Sequence, residues 1–143
     1  MKFKAKILNQ DSFFKRLERK ENAAIAGMNR SVEMSTLNIY NDAIRSIHAH
    51  LSKGETYGKH TASREGFPPN SDTGTLANSI QFEFDRSETE IVGYVGTNLK
   101  YGLNLEFGTS TIKPRPWLRP AFEKNKEKFY KSCEQAIKKA LKK

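Results

Sequence analysis

The chain has 143 residues, 36% of them hydrophobic and 29% charged, with a formal net charge of +9. That length suits one domain with a modest core, and the composition is polar without being that of a disordered chain. A single cysteine, Cys133, excludes an internal disulfide and a thiolate zinc cluster, and no apolar run approaches the length of a membrane span.

The charge is unevenly spread. Residues 1–21 carry seven Lys/Arg against three Asp/Glu, residues 22–112 seven against ten, and residues 113–143 eleven against three. The basic C-terminal segment would suit nucleic acid or an acidic protein surface, and would equally serve as a solvated helix face. The opening stretch MKFKAKILNQDSFF has neither a long apolar core nor a small-residue cleavage site. It is read as an extended start and not as a signal peptide, with synthesis expected in a reducing cytoplasm.

A short helix is expected over DSFFKRLERK, with Asp11 or Ser12 as its N-cap and Phe13, Phe14 and Leu17 on one side. A longer helix should follow from Glu21 to Leu51. Ile25, Met28, Val32, Thr36, Ile39, Ala43, Ile47 and Leu51 recur there at steps of three and four, which lays down one apolar stripe. Gly27 costs this helix roughly 1 kcal/mol against alanine and suggests a bend. Gly54 is placed to supply a left-handed C-cap.

Residues 53–72 are rich in Gly, Pro, Ser and Thr and lack periodicity, so a long loop is expected, of the kind that is usually functional or disordered. Asp72 and Thr73 then offer caps for a helical turn through GTLANSI. SIQFEFD puts Ile80, Phe82 and Phe84 on one strand face, taken as core, and Glu83 and Asp85 on the solvent face. EIVGYVG is a second strand joined through RSET, and Gly93 marks a bulge or a close approach. Leu99, Leu103 and Phe107 step by four, so a short helix or turn competes with a strand. A last helix should begin at Arg119-Pro120 with an apolar stripe of Phe122, Phe129, Cys133, Ile137 and Leu141.

Catalytic chemistry is hard to find. His48 and His50 are two apart on a helix and point away from each other, and His60 has no acidic partner at a diagnostic spacing. Cys133 falls on an apolar stripe, as a buried inert thiol would. The pairs Glu83/Asp85 and Glu88/Glu90 read as surface charge, and neither a phosphate-binding glycine loop nor a nucleophile elbow occurs. No enzyme activity, metal or cofactor is expected.

KPRPWLRP, residues 113–120, is different. Its prolines fix φ and hold Lys113, Arg115 and Arg119 extended, so these cations project from a stiff frame. Trp117 could plug the core where the last helix starts, or anchor an interface beside an arginine. Arg115 and Arg119 are candidates for ion pairs between subunits under either reading.

Two stretches, SREGFPPNSDTGTLANSI and YGLNLEFGTSTIKPRPWLRPAF, each preceded by helix at a suitable distance, resemble the small tail-component family of long-tailed bacteriophages and prophages. These are tail-completion or neck proteins of the head–tail junction. The likeness spans roughly residues 10–140. Thr73, Gly74, Leu76, Ser79 and Ile80 fall on the first motif. Glu106, Gly108, Thr109, Arg115, Pro116, Leu118, Arg119, Pro120 and Ala121 fall on the second, with Trp117 where phenylalanine is usual.

The resemblance implies an α+β fold, with long N-terminal helices and a C-terminal helix packed on a small antiparallel sheet. It implies a non-enzymatic virion protein, assembled in the host cytoplasm and forming a homo-oligomeric, six-fold ring where the tail meets the head connector. Expected partners are head-connector or stopper proteins and tail-tube or tail-terminator proteins, with non-specific contact to passing DNA and no membrane. Glu106, Arg115, Trp117 and Arg119 are the candidate subunit or partner contacts. Such a ring needs unlike faces meeting head to tail, and a protruding loop over residues 53–72 would suit it. The competing expectation is a basic nucleic-acid-binding regulator, although neither helix-turn-helix spacing nor aromatic strands with basic flanks are found.

Overall fold

Residues 10–87 and 90–142 are described by a computed structural model; the extended start, Glu88, Thr89 and Lys143 lie outside them. The first helix, α1, runs without interruption from Gln10 to His48, so the two expected helices are one rod about 58 Å long. It passes straight through Gly27, where a Cβ would lie 2.7 Å from the Cβ of Ala136. The glycine therefore serves a close crossing of two helices. At the other end α1 stops one turn short of Leu51. Ser71 N donates to Ile47 O at 3.2 Å, and His50, with φ 46°, makes the left-handed turn expected of Gly54. A distant segment terminates this helix, so no local signal marked the position.

The expected long loop is largely folded. It holds a small hairpin of β1 (Thr56–Tyr57) and β2 (His60–Thr61), and Ser63, Pro68 and Pro69 are buried beyond it. Asn70 Nδ2 donates to Ser52 O and Thr61 O, both at 2.8 Å, tying the loop to itself. Helix α2 (Thr75–Ser79) follows, then β3 (Ile80–Arg86) and β4 (Ile91–Thr97) as an antiparallel pair. The register pairs Ile80 with Thr97, Phe82 with Val95 and Phe84 with Gly93, so these residues share the face turned towards α1. The pairing has no bulge. Gly93 is instead a close approach, because a Cβ there would overlap the Thr36 hydroxyl. Phe82 meets Tyr40 edge-on at 5.0 Å but stays exposed on its outer side, which its reading as core did not anticipate. Glu83 and Asp85 are exposed as expected.

Helix α3 (Lys100–Phe107) resolves the ambiguous stretch, and α4 (Arg119–Lys142) is the last helix. It lies antiparallel along α1: Lys20 Nζ donates to Leu141 O, Ser31 and Ser132 share a hydrogen bond at 2.7 Å, and Lys124 reaches Asp42 at 3.1 Å. The face of α4 turned to α1 is made of small and polar residues, with Ala121, Asn125 and Ala140 buried. The expected apolar stripe is turned away from it: Phe122, Ile137 and Leu141 are exposed, and Phe129 and Cys133, the latter expected to be buried, are only half-buried. Periodicity identified residues sharing one side of the rod, but small residues let the two backbones approach, and that side won.

The core gathers Ala43 and Ile47 of α1, Leu76 and Ala77 of α2, Ile80, Trp117 and Ala121. The fold is thus α+β, with long helices packed against a small antiparallel sheet, as the resemblance implied.

Candidate interaction surface

The segment between α3 and α4 is held by a carboxylate. Glu106 of α3 accepts hydrogen bonds from three successive amides, Trp117 N at 2.7 Å, Leu118 N at 2.9 Å and Arg119 N at 2.9 Å. These include N–H groups that a helix start leaves without partners, and a negative charge there also favours the helix dipole. Glu106 is therefore the cap of α4, supplied from another helix. Between the two helices Gly108 takes φ 76°, and a Cβ on it would come within 2.9 Å of Ile112 O. Thr109 Oγ1 then accepts from Ile112 N at 3.0 Å and closes the turn.

Of the four residues expected at subunit contacts, these bonds divide the roles. Glu106 has its carboxylate committed within the chain. Trp117 is 3% exposed and its indole donates to Gly102 O at 3.0 Å, so its ring plugs the core. Arg115 is half-buried; its Nε donates to Ser63 O at 3.0 Å and its amide to Leu105 O at 2.6 Å, clamping the folded loop. Arg119 alone is exposed. The first motif is built likewise into the fold: Gly74 takes φ 77°, Leu76 and Ile80 are core, and Ser79 Oγ donates to Leu76 O at 2.7 Å. Both motifs meet in one frame, since Gly66 N donates to Pro114 O at 2.9 Å beside the Arg115 clamp.

That frame displays an apolar groove of about 620 Å³. Gly93–Thr97 of β4 line it together with Leu103 and Phe107 of α3, Phe122 of α4, Ile39 and Trp117. Phe107 is 75% exposed, Leu103 61% and Tyr94 54%, a cluster larger than scattered surface apolars would give. Leu103 and Phe107 were marked in the sequence as a four-residue step, but their exposure was not legible. A second apolar surface runs along the far half of the helix pair, where Phe13, Phe14, Leu17, Ile137 and Leu141 are exposed. The lysines of α4 are exposed along its length, with Lys138 paired to Glu134 and Lys124 to Asp42.

Titratable groups are spread out. No group of three or more His, Cys, Asp or Glu that could hold a metal occurs among the described residues. His50 Nε2 lies 3.1 Å from Ser71 O. His60 does face an acid that its sequence neighbourhood did not announce, Asp72 at 3.8 Å across the folded loop. At the helix crossing, burial pushes the Asp42 carboxyl up, but hydrogen bonds from Asn125 and Lys124 and the charges of Lys124 and Arg45 outweigh it and leave it below its ordinary value. No described helix is long and apolar enough to cross a membrane.

Comparison of the chain with family models, curated proteins and solved structures finds no match.

Proposed function

We propose that this chain is a structural, non-enzymatic subunit of the neck of a long-tailed bacteriophage or prophage, forming a ring at the head–tail junction through which DNA passes. The observation that carries the reading is the convergence of the two motifs. The two stretches that carry the resemblance, residues 63–80 and 101–122, fold into one hydrogen-bonded frame beside an exposed aromatic groove. A ring subunit needs a rigid body with uncovered apolar faces for its neighbours, and this chain has both. Exposed lysines on α4 would suit contact with phosphates without reading sequence.

The test is a complementation assay in a phage lacking this chain, followed by imaging of the particles. Wild type should restore infectious particles with density for the chain at the collar. Phe107→Asp should leave the fold intact while tailless capsids and free tails accumulate. Normal yield from Phe107→Asp, or density elsewhere in the particle, would contradict the reading.

The exposed lysines of α4 also favour a second reading, a basic nucleic-acid-binding regulator. Such a protein would bind one DNA sequence well above random DNA at physiological salt, whereas a ring subunit would show a steep salt dependence and no sequence preference.

A further inference from the structure

β4 is an edge strand. Among the described residues it pairs with β3 alone, so its outer side presents unpaired N–H and C=O groups. Five consecutive residues of that strand, Gly93–Thr97, line the apolar groove, and no β3 residue does. The groove therefore runs along the open edge of β4, the side on which one more strand would pair. A Cβ on Gly96 would meet nothing within 4 Å, so this wall is uncovered.

The chain contains a segment with the matching chemistry. Residues 1–9, MKFKAKILN, alternate Met1, Phe3, Ala5 and Ile7 with Lys2, Lys4 and Lys6. Such strict alternation suits a strand with one buried and one solvated face. Set against β4, the apolar set would enter the groove beside Ile39, Leu118 and Phe122. The lysines would then lie on the face where β3 exposes Glu83 and Asp85.

Reach decides whose segment it is. The nearest point of the groove on α1 is Thr36, roughly 39 Å along the helix from Gln10. Nine residues span at most about 30 Å when fully stretched. The segment cannot reach its own groove, let alone lie along it.

We infer that residues 1–9 of one copy add as a strand to the β4 edge of a second copy, seating Phe3, Ala5 and Ile7 in the groove of that neighbour. This deepens the ring reading and rests on it, because a donated strand joins unlike faces head to tail. The ring could nevertheless close by other contacts, so the two stand or fall separately.

The experiment compares the 143-residue chain with its Phe3→Asp/Ile7→Asp variant by sedimentation velocity, amide hydrogen exchange and thermal melting. Wild type should sediment as an assembly with slow exchange at alternate amides of residues 93–97. The variant should sediment as a monomer of unchanged helicity, with those amides exchanging faster by about tenfold or more. Assembly of both proteins with the same exchange at 93–97 would overturn strand donation and leave the ring standing. A wild type that stays monomeric, with fast exchange at 93–97, would overturn both. Loss of helicity in the variant would also contradict the proposal, since it would mean that residues 1–9 stabilise their own subunit.

Discussion

The two halves of the α1–α4 pair are packed on different principles. Near the sheet, large side chains are turned inward: Ile47, Leu76, Ile80 and Trp117 close a core around Ala43 and Ala121. Towards the free ends the seam is made of small residues, with Gly27 against Ala136 and Ser31 bonded to Ser132, while Phe13, Phe14, Leu17, Ile137 and Leu141 face outward. The first half is stabilised within one chain. The second keeps its apolar area for something else, and water is a poor partner for that much of it. An apolar stripe in a sequence marks a face that is buried somewhere, and the monomer need not be the place.

This contrast can be broken at its strongest point first. Trp117→Ala should cost about 3–5 kcal/mol, because it empties a packed site and removes the indole hydrogen bond to Gly102 O, and equilibrium denaturation would show it as a large fall in midpoint. Little change would mean that Trp117 does not lock the near half.

Next comes the cap. Glu106→Ala leaves three amides without their acceptor and should cost about 2–3 kcal/mol, with Glu106→Gln recovering part of it. If Glu106 acted only at a subunit contact, the melting of a dilute monomer would not move.

Between the halves, Asp42 makes the crossing sensitive to acid. Its carboxyl is held below the ordinary value of 3.8 in the folded chain, so its contribution is complete above that value and is lost as pH falls through the lower folded value. Stability should therefore decline below about pH 4, and Asp42→Asn should flatten that part of the profile. An unchanged slope in the variant would assign the acid sensitivity elsewhere.

The smallest effect is expected at the far end. Ile137→Ser and Leu141→Ser should each change monomer stability by less than about 0.5 kcal/mol while weakening self-association. A loss as large as that of a core truncation would show the far half to be packed like the near one.

Much of this architecture was readable from local pattern. The β3–β4 hairpin, the α1 stripe through Ala43 and Ile47, and the start of α4 at Arg119-Pro120 all follow periodicity and turn chemistry that act over a few residues. What was not readable depends on partners distant in sequence. The end of α1 is set by Ser71, the folded loop is clamped by Arg115, and the cap of α4 comes from Glu106 on another helix. The inward side of α4 was missed for a related reason. Alanine and serine carry a weak hydrophobic signal, yet their size decides how closely two helices can lie. Glu106 drew notice as a contact residue through motif membership and Arg115 and Trp117 through the stiff proline segment, and the geometry uses all three to hold the frame; only Arg119 stays on the surface.

The mass of the 143-residue chain in solution, compared with that of Phe107→Asp, bears most directly on the idea that the uncovered apolar faces join copies. The wild type should form a closed assembly of one size, and Phe107→Asp should fall apart to folded monomers with the same helicity. A wild type that remains monomeric at its highest soluble concentration, or a variant that assembles just as well, would contradict the account.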